Sequence, residues 1–174
     1  MQSKDFIKLA RQSIESEFSG KQVRVPNDKD LQEKRGCFVT LTKQGELRGC
    51  IGFPYPSLPL GEAIAEAAKS AAFSDPRFPQ LSKKELPEIK VEISILSLPE
   101  KIEPLPENIK IGKEGLMCSY EGFTGLLLPQ VAVEYKWNAE QFLRQLCAKA
   151  GLRLDTWKEP GFKLWKFSAE IVRE

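Results

Sequence analysis

Cys37-Phe38-Val39-Thr40-Leu41-Thr42-Lys43-Gln44-Gly45-Glu46-Leu47-Arg48-Gly49-Cys50-Ile51-Gly52 is the stretch that decides the fold class. Two runs rich in β-branched and apolar residues flank a polar segment that holds a glycine, the signature of a β-hairpin. Reading Lys43-Gln44-Gly45 as a three-residue loop, with Gly45 at the left-handed position, sets Phe38 opposite Cys50 and Thr40 opposite Arg48. That register gathers Cys37, Val39, Leu41, Leu47 and Ile51 on one face, and Phe38, Thr40, Thr42, Glu46, Arg48 and Cys50 on the other. The first face is the expected core side. The second places a guanidinium and a thiol two residues apart where a ligand can meet both.

Working outward, Phe6, Ile7, Ala10, Ile14 and Phe18 recur at helical spacing between a Ser3 cap and Gly20. Three prolines in 53–59 forbid a central strand or a helix interior there. A helix is predicted over 60–73, with Leu60, Ile64, Ala67, Ala68 and Ala71 inward and alanines that permit close approach to a sheet. Ser82 and Glu85 have capping-box spacing and predict a short helical turn stopped at Pro87. Residues 90–98 alternate as a half-buried strand. The proline-rich, acidic connector 99–108 is the expected boundary between two lobes of a single domain spanning 1–174. Beyond it, 116–120 and 123–128 read as a second hairpin around Glu121-Gly122. A short helix opens at Pro129. Asn138 and Gln141 start another helix that Gly151 ends, and alternation of Trp165, Phe167, Ala169 and Ile171 predicts one last strand. The element order repeats as ββααβ, an internal duplication in which Gly49 corresponds to Gly125. Hairpins dominate, so the fold class is α+β with a largely antiparallel sheet flanked by helices.

Composition bounds the chemistry. The chain has 174 residues, 26 Lys and Arg against 24 Asp and Glu, and no histidine. A formal charge of +2 gives no strong footprint for nucleic acid. Without histidine there is no Ser-His or Cys-His pair, and the usual zinc and non-haem iron sites are excluded. The four cysteines, at 37, 50, 118 and 147, form no Cys-x-x-Cys, so no metal site is expected. No apolar run approaches the roughly 20 residues that cross a bilayer. The N-terminal residues lead into an amphipathic helix rather than an apolar signal core, so the expected location is the cytoplasm.

The candidate catalytic pair is Cys50 with Arg48, because a nearby guanidinium favours the thiolate. Gly49 and Gly52 clear space beside them, as glycines in strands do where a ligand or another backbone comes close. Asp75-Pro76-Arg77-Phe78-Pro79 offers Arg77 for an anionic group and Asp75 as its orienting carboxylate, in a proline-stiffened loop. Gln130 and Glu134 share a helical face and are candidate contacts to a polar substrate. For each there is a bland alternative: packing for Cys50, a strand-surface charge for Arg48, a local ion pair for Asp75 and Arg77, a solvated pair for Gln130 and Glu134.

With these segments in view, the chain resembles the AMMECR domain family, also called AmmeMemoRadiSam system protein A. The likeness rests on Leu47-Arg48-Gly49-Cys50-Ile51-Gly52, Asp75-Pro76-Arg77-Phe78-Pro79, Glu85-Leu86-Pro87, Leu127-Leu128-Pro129-Gln130-Val131-Ala132 and Lys149-Ala150-Gly151-Leu152. The resemblance implies an α+β domain with a larger and a smaller lobe. It also implies action alongside a Memo-type protein and a radical S-adenosylmethionine protein. It names no cofactor and no established reaction. Thr124 stands where members often carry a basic residue. Two functional classes are expected: a cytosolic enzyme component built on Cys50 and Arg48, or a non-catalytic module that binds a partner protein or RNA.

Overall fold

Gln44 and Gly45 both carry positive φ, 53° and 85°, in the computed structural model, which describes residues 3–174. This pair forms a type I′ turn, whose twist matches the strands it joins. It links β1 (Cys37–Lys43) to β2 (Glu46–Phe53), so the loop has two residues, not the three expected. Val39 pairs with Ile51 and Thr40 with Cys50, while Leu41 faces Gly49 and Thr42 faces Leu47, leaving Arg48 as the extra residue of a β-bulge. The bulge adds a second one-residue shift to the one the shorter loop imposes, and a total shift of two restores the faces while changing the partners. Cys37, Val39, Leu41 and Ile51 therefore share the core face as predicted. Leu47 lies on the turn side of the bulge and is exposed, which corrects its assignment.

The helix α1 (Ser3–Ser19) buries Phe6, Ile7, Ala10 and Ile14 and ends at Gly20, whose N–H donates to the Ser16 carbonyl. The side chain of Ser3, the expected cap, lies outside the described part of the structure. A short α2 (Lys29–Gln32) is capped by the Asp28 side chain. Then α3 (Leu60–Phe73) packs on β1 and β2 through Ala63, Ile64, Ala67, Ala68 and Ala71. Next comes β3 (Ile89–Leu96), antiparallel to β1. The connector predicted over 99–108 holds a strand, β4 (Glu100–Ile102), and a 3₁₀ turn at Pro106–Asn108.

A second hairpin, β5 (Gly115–Tyr120) and β6 (Phe123–Leu127), turns on Glu121 and Gly122 and keeps one register throughout. It leads to α4 (Pro129–Glu134) and α5 (Ala139–Lys149). The Asn138 and Gln141 side chains cap each other's backbone N–H groups at 2.8 and 2.9 Å. The single predicted last strand is two, β7 (Lys163–Phe167) and β8 (Ala169–Arg173). The break falls at Ser168, because its carbonyl accepts from Ser97 N and its own N–H donates to Ser97 Oγ, both at 2.9 Å.

The chain divides into two compact units: residues up to Leu96 with Glu170–Glu174, and Ser97–Ala169. The first holds a sheet of order β2-β1-β3-β8, the second a sheet of order β6-β5-β7-β4. Read by role the two orders coincide: second hairpin strand, first hairpin strand, the strand after the helices, then a strand from elsewhere. The protein is α+β, its strand pairs antiparallel wherever the register is defined. In each unit a glycine of the second hairpin strand lies under a helix. A Cβ on Gly49 would run into the Ala71 carbonyl, and one on Gly125 would come within 3.0 Å of Leu146 O and Ala150 Cβ. Among the described residues, no helix is long and apolar enough to cross a membrane.

Candidate functional site around Cys50

Asp75 is the organising residue. The sequence Asp75-Pro76-Arg77-Phe78 makes a turn closed by Phe78 N on Asp75 O at 3.1 Å, with proline at the position it favours and the Asp side chain accepting from Arg77 N. Its carboxylate is almost wholly buried and accepts Arg77 Nε at 3.0 Å, Arg77 Nη2 at 2.7 Å and Cys50 N at 2.9 Å. Arg77 Nη2 also donates to the Cys50 carbonyl at 3.3 Å. The two side chains thus satisfy the outward-facing peptide groups of Cys50 on the edge strand β2, as a neighbouring strand would. The Arg77 guanidinium is more than half exposed and sits 5.5 Å from the Phe78 ring centre.

Cys50 is half-buried, on the sheet face turned away from α1 and α3, and Thr40 Oγ1 donates to its sulfur at 3.2 Å. The other three thiols are buried and free. Burial pushes Cys37 and Cys118 up to about 12 and raises Cys147, so these are inert packing.

Arg48 is placed differently from its sequence expectation. The bulge turns its guanidinium toward the 79–85 segment, where Nε and Nη2 bind the Glu85 carboxylate at 3.0 and 3.2 Å and Nη1 binds Pro79 O at 2.9 Å. The guanidinium that touches Cys50 is that of Arg77, through the peptide carbonyl. Glu85 is in turn held by Ser82 N and Lys43, and its pKa sits at about 2, first through Arg48 and next through the Ser82 N–H. Gly49 and Gly52 leave room for protein rather than for ligand: Gly49 admits the α3 backbone, and a Cβ on Gly52 would collide with the Phe38 ring. Gln130 and Glu134 are exposed on α4, in the other unit.

Thr40 and Glu85 are the members that sequence reasoning missed. With the three-residue loop, Phe38 rather than Thr40 stood opposite Cys50. Glu85 was visible as a capping residue and within the Glu85-Leu86-Pro87 motif, not as the partner of Arg48. Among the described residues, no cluster of three Cys, Asp or Glu is poised to hold a metal ion.

The buried carboxylate gives a pH dependence. Hydrogen bonds from Arg77, and then from Cys50 N, hold Asp75 well below the usual carboxylate range. A depressed carboxylate stabilises the fold above its unfolded pKa near 3.9, and that stability drains as pH falls toward the folded value. Glu85 adds the same sign between about 4.3 and 2. Stability is therefore expected to be level from pH 7 to about 5 and to drop below it. Asp75→Asn should lower the plateau by about 2 kcal/mol, the exposed partner limiting the loss, and flatten the acid slope. Urea midpoints measured from pH 2 to 7 check this; an unchanged slope in Asp75→Asn would refute it.

The fold and site together define a class: a two-sheet α+β protein with one accessible, hydroxyl-bonded cysteine on an edge strand clamped by an Asp-Arg turn. The chain matches the AMMECR1 family over residues 7–172 and belongs to it. It is 47% identical to protein MJ0810 of Methanocaldococcus jannaschii over 97% of this chain and 88% of that one, and 46% identical to protein TK0174 of Thermococcus kodakarensis over the same shares. The crystal structure of the uncharacterised protein PH0010 from Pyrococcus horikoshii is similar at a TM-score of 0.84 and 44% identity, covering 95% of this chain and 88% of that one.

Proposed function

We propose that the protein is a cytosolic enzyme component in which Cys50 is the nucleophile or covalent carrier, working with Memo-type and radical S-adenosylmethionine partners. The observation that carries the reading is the state of Cys50: the one half-exposed thiol of four, with a hydroxyl hydrogen on its sulfur. That hydrogen bond and the exposure of the side chain leave this sulfur oriented and open to a reagent. The backbone on either side of the sulfur is fixed by Asp75 and Arg77, which holds the nucleophile in one place. Arg48 acts as a positioning residue, tying β2 to the 79–85 segment through Glu85.

The test is alkylation of the folded protein by iodoacetamide with peptide mapping. Cys50 should be modified first, and Cys37, Cys118 and Cys147 only on unfolding. Thr40→Val keeps the volume and removes the hydroxyl, and should slow Cys50 alkylation at pH 7 about fivefold. Equal rates in both forms, or a Cys50 as slow as the buried thiols, would remove the nucleophile.

A second reading, a docking module for a partner protein, draws on the other unit. There Val133 and Tyr135, with Gln130 and Glu134 close by in sequence, are exposed at α4 and its C-terminal end, and Tyr135 stacks on Trp137 at 4.9 Å.

A further inference from the structure

Across the sheet face that carries Cys50, three residues stand in one row: Cys50 on β2, Thr40 on β1 and Glu92 on β3. The neighbouring row holds Thr42 opposite Lys90. On the β1 and β3 side of these rows, with Thr40 between it and Cys50, lies a hollow of about 250 Å³ lined by Thr40, Thr42, Lys90, Val91, Glu92, Arg173 and Glu174. At about 30 Å³ per water it has room for some eight waters, the size of a small polar metabolite rather than a nucleotide.

Its charges do not balance. Arg173 Nε is bound to Glu92 Oε2 at 2.6 Å. Glu174 is neutralised from behind by Arg11, whose Nε and Nη2 reach its two oxygens at 2.6 and 2.8 Å, and it also accepts Val91 N. Lys90 is exposed and makes no close ion pair among the described residues, acting on the Glu174 carboxylate only at longer range and after Arg11. With the Thr40 hydrogen already on the Cys50 sulfur, the lining offers an anion the Lys90 ammonium and the Thr42 hydroxyl.

We infer that this hollow binds a small anion, such as a carboxylate, and presents it to the Cys50 sulfur across Thr40. The inference rests on the reading of Cys50 as reactive and adds its substrate class. The β3 strand lies two strand spacings, about 10 Å, from β2, so a ligand anchored at Lys90 must span several bonds to reach the sulfur.

Three methanethiosulfonates of matched length test it, with sulfonate, hydroxyl and trimethylammonium tails. In each the thiolate attacks the sulfenyl sulfur, a mixed disulfide forms, methanesulfinate leaves, and the thiol proton goes to buffer. Rates at Cys50 are divided by those of glutathione with the same reagent. The sulfonate reagent should be favoured over the neutral one about fivefold and the cationic one disfavoured, and Lys90→Gln should erase the preference while leaving the neutral rate unchanged. Normalised rates equal for all three tails overturn the anion pocket while Cys50 stands. A Cys50 inert to all three overturns the reading of the thiol itself, and the pocket with it.

Discussion

A chain ended at Ala169 is expected to lose the fold of the first unit while the second stays folded. Only Glu170–Glu174 are removed, yet they complete the first unit's sheet, because β8 lies beside β3. Val172 is buried there, worth about 2 kcal/mol. Glu174 N donates to Val91 O, and its carboxylate receives Val91 N and the Arg11 guanidinium. Arg11 also reaches the Leu86 and Ile89 carbonyls, so the carboxylate anchors the group that ties α1 to the start of β3. Losing one strand of four, a buried side chain and these bonds removes about 5 kcal/mol or more, comparable with the whole stability of a small domain.

The second unit keeps its whole sheet. Its four strands β4, β5, β6 and β7 all lie within Ser97–Ala169, and its ends meet where Ser97 bonds Ser168. It is an insertion between β3 and β8 with adjacent ends, the arrangement that tolerates excision. A fragment of 97–169 should fold alone. Amide exchange on the shortened chain checks both halves: protection should persist in 97–169 and vanish elsewhere. A first unit with unchanged protection would refute the account.

Local chemistry in the sequence specified most elements. Capping pairs at Ser82 with Glu85 and Asn138 with Gln141 lie three residues apart, and the bonds they make are local, so spacing alone exposes them. The Asp75-Pro76-Arg77 turn is legible for the same reason. What escaped depends on partners far along the chain. The alternation of Trp165 through Ile171 runs on without interruption, and only Ser97, seventy-one residues earlier, breaks it. Glu100-Lys101-Ile102 is too short to announce a strand and owes its state to β7. The bulge at Arg48 adds a second one-residue shift to that of a loop one residue shorter than assumed, so the face assignment for Cys50 survived a wrong register. The partner of Cys50, by contrast, did not. A site set by cross-strand neighbours is only as legible as the register.

The largest single-residue effect is expected at Gly49. It stands opposite Leu41 on the core face, and a Cβ there would penetrate the carbonyl oxygen of Ala71 in α3. The obstacle is backbone in a helix buried along that side, so no rotamer change relieves it, and α3 must lift from the sheet. Overpacking ordinarily costs about 1–3 kcal/mol, and a rigid obstacle places Gly49→Ala at or above 3. Gly125 is the comparison in the second unit: its nearest neighbours would stand at 3.0 Å, a contact that a few tenths of an ångström relieves, so Gly125→Ala should cost about 1 kcal/mol. Trimming the helix distinguishes the cause. Ala71→Gly removes a methyl but not the carbonyl, so it should fail to rescue Gly49→Ala in urea denaturation, whereas a side-chain clash would be rescued. Because Gly49 precedes Cys50, the same lift of α3 from β2 should also loosen the Asp75 bond to Cys50 N and alter alkylation of Cys50. If Gly49→Ala is as stable as the parent and its Cys50 reacts identically, the glycine is not there for the helix, and the hairpin has space that a ligand could use.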